Sequence, residues 1–198
     1  MAKKSSLAWR VNDIVIASVL SVACGLIFWF WSVAIYPLAK TIFATVPEYM
    51  PLIGGGWLIA GVLGGIVIRK PGAALYCELL GAIIEGILGT HFGMSVIISG
   101  LIQGLGAELI FVVFLYRQWN IMVAALAGAV SGFGMGVSEI IIYYANELSF
   151  AKMLVYTACG TISGALLAGV LSWFLMKALA QTGVLSSLAS GRSKRARA

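Results

Sequence analysis

The sequence predicts an all-α membrane protein with six transmembrane helices. Of its 198 residues, 61% are hydrophobic and only 10% are charged, a composition that favours a polytopic membrane protein over a soluble domain. The apolar residues form six segments of about 20 residues, long enough to cross a bilayer. The 24 glycines fit this class, because small residues allow membrane helices to pack closely. We expect one transmembrane domain over residues 1–198.

Prolines and glycines delimit the first three predicted helices. The first covers residues 12–36 and ends before Pro37, because proline lacks the amide hydrogen that a helix interior needs. The second covers 51–68 and is followed by a Pro-Gly pair, which favours a turn. The third covers 73–90. It is short, so a buried or partly re-entrant helix is the alternative to a full span.

Polar loops separate the last three predicted helices. The fourth covers residues 93–116 and ends at a polar run that includes Arg117. The fifth covers 119–144, and the run 146–149, which begins at Asn146, precedes the sixth at 152–178.

The distribution of basic residues predicts the orientation. An even number of spans places both termini on one side. With the termini inside, eleven of the thirteen basic residues are cytoplasmic and only Lys40 and Lys152 are external. The positive-inside rule therefore predicts cytoplasmic termini. A basic tail over about residues 181–198 is expected to set topology and attract anionic lipid; nucleic-acid binding is the weaker alternative. The cytoplasmic set is Lys3, Lys4, Arg10, Arg69, Lys70, Arg117, Lys177, Arg192, Lys194, Arg195 and Arg197.

Four glutamates lie inside the apolar segments, and no basic residue lies at comparable depth. A charged side chain near the bilayer centre costs about 3 kcal/mol on insertion scales, so these groups need partners. Glu85 and Glu139 fall toward the external side, where an entering ligand would meet them first. Glu78 and Glu108 fall deeper, and of the four glutamates we expect these two to have structural roles that brace the helices. Gln103 lies near mid-depth.

Aromatic residues gather on the same external side. Trp29, Tyr36, Trp57 and Tyr143 lie near the outer ends of predicted helices, and His91 lies in the turn after Glu85. An aromatic belt at the membrane interface is the ordinary interpretation. If some of these rings face inward, carboxylates and electron-rich rings together suit a cation with a flat aromatic body. We therefore predict a substrate site of Glu85, Glu139, Gln103, Glu108, Glu78, Trp29, Trp57, Tyr36, Tyr143 and His91.

Enzymatic and metal-binding signals are weak. Cys24, Cys77 and Cys159 lie far apart in apolar runs and lack metal-ligand spacing, and there is no HExxH, Gly-x-Ser-x-Gly or Walker motif. We expect no metal, no cofactor and no enzymatic activity in this chain.

Three stretches resemble the substrate-binding S components of energy-coupling-factor (ECF) vitamin transporters. They are residues 9–14 (WRVNDI), 76–86 (YCELLGAIIEG) and 103–108 (QGLGAE). The match is closest to the YkoE type, associated with thiamin and its hydroxymethylpyrimidine precursor, and it covers nearly the whole chain. The resemblance implies a six-helix S-component fold with an external substrate pocket, in a multi-pass protein of the bacterial plasma membrane.

The resemblance also implies a mechanism and partners. Such a subunit captures its vitamin from outside and docks on a transmembrane coupling subunit driven by separate ATPases. Many members dock through an Ala-x-x-x-Ala stripe in the first helix; here the stripe is Ala17, Ser21 and Gly25, which keeps small residues but replaces two alanines. Internal helix packing is the ordinary role of such a stripe. A small proton- or ion-coupled secondary transporter is the alternative function, since clustered glutamates can relay protons. A membrane scaffold without ligand is a third.

Overall fold

The computed structural model describes residues 7–144 and 147–192, and within these residues the chain forms helices and no strands. Several residues used above lie outside the described residues: Lys3, Lys4, Asn146, Lys194, Arg195, Arg197 and the side chain of Arg192. The helices in chain order are α1 (Val11–Ile42), α2 (Pro47–Ile68), α3 (Ala73–Leu88), α4 (Ser95–Val113), α5 (Ile121–Tyr144), α6 (Phe150–Gln181) and the short α7 (Ala189–Arg192).

Each of the six predicted segments overlaps one of the helices α1 to α6. Five of these helices, α1, α2, α4, α5 and α6, are long and apolar enough to cross a membrane. Helix α3 has 16 residues, about 24 Å at 1.5 Å per residue. It ends at Gly89, whose φ of 91° is in the range that favours glycine.

The predicted end of the first helix at Pro37 is wrong. Helix α1 continues to Ile42 through a wide π-helical turn over Trp31–Ile35. Pro37 then lies in the first turn of the segment Tyr36–Ile42, where a missing amide hydrogen disturbs the hydrogen-bond ladder least. Wide turns of this kind are often found at functional sites.

Helix α2 forms the centre of the bundle. In its most apolar stretch 83% of residues are buried, against 28–44% in the other four long helices. Helices α1, α3, α4, α5 and α6 pack side by side in that order, and each of them also contacts α2. Helix α2 begins at Pro47, earlier than predicted, because Pro47–Leu58 is a 3₁₀-helix that accommodates Pro51.

Glycines bring α5 and α6 into backbone contact. A Cβ atom on Gly132 would overlap the carbonyl oxygen of Gly160, and one on Gly128 would overlap the carbonyl oxygen of Gly164. Only glycine, which lacks a Cβ atom, allows the two helix backbones to come this close. These glycines therefore serve internal helix packing, as stripes of small residues usually do.

One end of the bundle is closed by a polar network and by the chain after α6. Asp13 is fully buried and pairs with Lys70 at 2.8 Å and with Arg10 at 3.0 Å. The side chains of Leu185 and Leu188 are buried in the core, so the segment that contains them folds back on the bundle. Both described chain ends therefore lie at the same end of the bundle.

The same end carries most of the described cations. Arg69 lies over the Trp119 ring at 5.5 Å, and burial lowers its pKa to about 10, so the guanidinium stays charged at neutral pH. At the opposite end Lys152 pairs with Glu48 at 3.2 Å. We refer to these as the inner and outer ends.

Candidate functional site

A cavity of about 590 Å³ opens at the outer end of the bundle. This size falls within the roughly 300–1,000 Å³ of small-molecule sites. The six helices α1 to α6 and the α3–α4 loop all contribute lining residues. Seven of the ten residues predicted from the sequence line it: Tyr36, Trp57, Glu85, His91, Gln103, Glu139 and Tyr143.

Glu85 lies on the side of the cavity formed by α1, α2 and α3. The Ser32 hydroxyl donates a hydrogen bond to its Oε1, and Trp57 Nε1 donates to Ser32 Oγ at 3.0 Å. Ser32 lies within the π-helical turn of α1. Glu85 is 2% exposed, and its carboxyl is therefore held by a chain of neutral donors.

Three aromatic rings from three elements form a cluster beside Glu85. Phe92 in the α3–α4 loop lies 4.9 Å from Tyr36 and 6.0 Å from Trp57, measured between ring centroids. Tyr36 and Trp57 lie 6.1 Å apart, and all three pairs are edge-to-face, a favourable geometry for rings. The exposed edges and faces of this cluster line the cavity.

Glu139 lies on the part of the cavity wall formed by α5 and α6. Its Oε2 accepts a hydrogen bond from the Tyr156 hydroxyl at 2.7 Å. The Tyr156 ring packs on Tyr144 at 5.3 Å. A second π-helical turn, Ile140–Tyr144, follows Glu139 directly, and the consecutive residues Tyr143 and Tyr144 both line the cavity.

The cavity contains two unmatched polar features. Within the described parts of the chain, neither Glu85 nor Glu139 belongs to an ion pair. Gln103 is 5% exposed and lines the cavity. Its backbone carbonyl accepts from Ser131, but its side-chain amide hydrogen-bonds to no residue in 7–144 or 147–192. Because a buried amide without partners is unfavourable, these groups suit a polar ligand.

Glu108 lies outside the cavity lining and caps the first turn of α3. Its carboxylate accepts hydrogen bonds from the backbone amides of Gly72 (2.7 Å), Ala74 (2.9 Å) and Leu75 (3.3 Å). The Tyr116 hydroxyl donates to the same carboxylate. A helix N-terminus carries unpaired amides and a partial positive charge, so this glutamate has local partners without a ligand.

Two further predicted residues also lie outside the lining. Glu78 is 1% exposed, and its Oε2 accepts from the amide of Gly61 at 2.5 Å; its Oε1 has no partner among the described residues. The side chain of Trp29 is exposed on the outer surface of α1.

The predicted docking stripe of α1 faces the inside of the bundle. Ala17, Ser21 and Gly25 are all buried. A Cβ atom on Gly25 would approach Ile84 and the carbonyl oxygen of Gly81, so the stripe is where α1 packs on α3. In this arrangement α3 covers the stripe.

Sequence reasoning missed several lining residues. Phe92, Tyr144 and Tyr156 all line the cavity, and Ser32 orients Glu85 from just behind it. Phe92 follows the predicted site residue His91, and Tyr144 follows Tyr143, so proximity in sequence was an available signal. Tyr156 is a buried tyrosine in an apolar helix, and its hydroxyl alone indicated a polar partner.

Three comparisons with known proteins agree on the class. Residues 12–134 match the family model described as an ABC-type cobalt transport system, permease component. The chain resembles a solved structure described as an S-component of an ECF transporter, with a TM-score of 0.88 and 32% identity over 96% of this chain and 95% of that one. It is 36% identical over 185 residues to a Bacillus subtilis (strain 168) protein that carries the name HMP/thiamine permease protein YkoE. That alignment covers 93% of this chain and 92% of the relative.

The all-helical bundle with its cavity at one end, together with these matches, defines a substrate-binding S component of an energy-coupling-factor transporter. Within that class, the chain belongs to the YkoE type. It is a multi-pass membrane protein of a transport system, as predicted from the sequence.

Proposed function

We propose that this chain captures thiamin or hydroxymethylpyrimidine from outside the cell and delivers it to an ATP-driven ECF importer. One observation carries the proposal: the carboxylates of Glu85, Glu139 and Glu147 line the outer-end cavity among aromatic rings, together with the Gln103 amide, which has no side-chain partner among the described residues. Thiamin has a permanently cationic thiazolium and a flat aminopyrimidine, which match carboxylates, an amide and aromatic faces. The name of the Bacillus subtilis relative supports the same ligand class.

The proposed orientation has six spans and cytoplasmic termini. Helix α3 then also spans the membrane, which brings the number of spans to six. It has only 16 residues, and the helices packed around it support this short crossing. The cations Arg10, Arg69 and Lys70 lie at the end of the bundle where the described chain begins and ends. By the positive-inside rule this end is cytoplasmic, and the cavity opens outward.

Transport requires partners that hydrolyse ATP. We propose a coupling subunit and two ATPase domains in that role, with this chain as a single transmembrane domain over 1–198 that is not an enzyme. Docking through Ala17, Ser21 and Gly25 requires α1 to separate from α3, because α3 covers the stripe.

Ligand titration of the purified protein in nanodiscs tests the capture step. Isothermal titration calorimetry should give a Kd below about 1 µM for thiamin or hydroxymethylpyrimidine. Absence of binding for both compounds at this level would refute the proposal. Riboflavin, a vitamin of different shape, serves as the negative control.

Uptake into vesicles separates the proposed importer from the alternative secondary transporter. An S component alone should bind thiamin without accumulating it, and accumulation should require the coupling subunit, ATPases and ATP. Uptake by this chain alone that stops when the proton gradient is collapsed would instead establish the proton-coupled carrier.

A further inference from the structure

Glu85 and Glu139, the two less exposed of the three carboxylates that line the cavity, have different surroundings and come from different helices. Glu85 lies with α1, α2 and α3, whereas Glu139 lies with α5 and α6. Building on the proposed function, we propose that the cavity has two subsites of distinct chemistry. Glu139 and its tyrosines bind the cationic thiazolium, and Gln103 with Glu85 binds the aminopyrimidine.

The Glu139 subsite suits a positive ring without hydrogen-bond donors. Glu139 accepts only the Tyr156 hydroxyl among the described residues, so most of its acceptor capacity is unused. Tyr143, Tyr144 and Tyr156 follow one another at centroid distances of 6.4 and 5.3 Å. A carboxylate among tyrosine faces attracts a cation both by charge and by the ring quadrupoles.

The Gln103 subsite suits a neutral group that donates and accepts side by side. An aminopyrimidine presents an exocyclic N–H next to a ring nitrogen acceptor, and a primary amide can meet both, as glutamine does with adenine. Gln103 is buried, lines the cavity and has an unpaired amide within the described chain.

Glu85 completes that subsite with a carboxyl held by neutral donors. One of its oxygens already accepts from Ser32, which is itself fixed by Trp57. The Glu85 carboxyl borders the cavity, where it can accept an amine N–H. The Tyr36, Trp57 and Phe92 cluster beside it offers flat apolar surface for the ring.

This division predicts which part of the ligand each residue recognises. Hydroxymethylpyrimidine contains only the neutral ring and should depend on the Gln103 subsite. Thiamin should depend on both subsites, and its cation should contribute only through the Glu139 subsite.

The test compares three ligands with five proteins by calorimetry in nanodiscs. The ligands are thiamin, hydroxymethylpyrimidine and a thiamin isostere in which a neutral thiophene replaces the thiazolium. The proteins are the wild type and the variants Glu139→Gln, Glu85→Gln, Gln103→Met and Glu48→Gln. Glu48 is a carboxylate of the outer end that lies outside the cavity lining and pairs with Lys152, so its variant is the matched control.

We expect Glu139→Gln to raise the Kd of thiamin by at least about tenfold and the Kd of hydroxymethylpyrimidine by less than about threefold. The reason is that charge-assisted contacts are stronger than neutral ones. Gln103→Met should raise the Kd of thiamin and of hydroxymethylpyrimidine by about tenfold or more. The wild type should prefer thiamin to its neutral isostere by about tenfold, and Glu139→Gln should remove this preference. Glu48→Gln should change no affinity by more than about twofold.

Equal losses of thiamin and hydroxymethylpyrimidine in Glu139→Gln would overturn the two-subsite proposal. A cation preference that survives in Glu139→Gln but disappears in Glu85→Gln would overturn the assignment of the rings. If Glu139→Gln does not fold, the wild type still decides, because equal affinities for thiamin and the isostere refute a cation subsite. Absence of all binding would refute the proposed function itself, which is a separate outcome.

Discussion

Replacing Glu108 distinguishes a structural cap from a ligand group. The carboxylate serves three backbone amides at the start of α3 and the Tyr116 hydroxyl. Each buried donor left without an acceptor costs about 1–3 kcal/mol. Water can reach some of these partly buried donors, so Glu108→Ala should lower the free energy of unfolding by about 3–5 kcal/mol. Glu108→Gln keeps one acceptor oxygen but presents an NH₂ group to the amides, and should cost about 2 kcal/mol.

Reversible unfolding in SDS, followed by circular dichroism, measures these changes. Glu48→Gln is the control, because its pair with Lys152 is partly exposed and such pairs contribute about 0–1 kcal/mol. Thiamin affinity is measured on the same samples. If Glu108→Gln keeps full stability while thiamin binding falls more than about tenfold, the carboxylate contacts the ligand and the capping interpretation is wrong.

Three further predictions address the aromatic cluster, the helix packing and the inner end. Phe92→Ala removes one ring from the cavity wall and should make the free energy of thiamin binding, measured by calorimetry, about 1–2 kcal/mol less favourable. An unchanged Kd would show that the ligand binds away from Phe92. Gly132→Val forces α5 away from α6 and should lower the free energy of unfolding by about 1–3 kcal/mol. Gly134→Ala is its control: this position has room for a Cβ atom, so the free energy of unfolding should change little. Asp13→Asn leaves the buried ammonium of Lys70 without its counter-charge. It should lower the free energy of unfolding by about 3–5 kcal/mol in the same SDS assay. A decrease below about 1 kcal/mol would show that the ion pair is not desolvated.

The sequence was sufficient to locate the helices because repeated apolar runs of this length are typical of membrane-spanning helices and rare in soluble domains. It was less informative about how each helix is rotated, since lipid-facing and core-facing sides of a membrane helix are both apolar. Trp29 and Trp57 looked equivalent in sequence, yet Trp29 faces outward and Trp57 lines the cavity. The path of α1 past Pro37 could not be predicted, because a π-helical turn depends on tertiary packing rather than on one residue.

Depth along the helices could be predicted better than rotation. Glu85 and Glu139 were placed at the outer end from helix direction alone, and both line the cavity. The partners of Glu108 could not be predicted, because they are backbone amides of another helix, which every residue type except proline provides. Phe92 was missed because a phenylalanine next to a glycine in a loop carries no polar signal.

The four membrane glutamates differ in their hydrogen-bond donors more than in their burial. Glu78, Glu85 and Glu108 are all less than a tenth exposed, so burial does not separate structural from ligand-binding groups. Glu108 has donors for both oxygens from a helix start, and this local satisfaction leaves little for a ligand to add. Glu85 and Glu139 have hydroxyl donors and border an open cavity. Both carboxyls therefore border a space that a donor or cation can enter from outside the described chain, and in the proposed function the substrate is that partner.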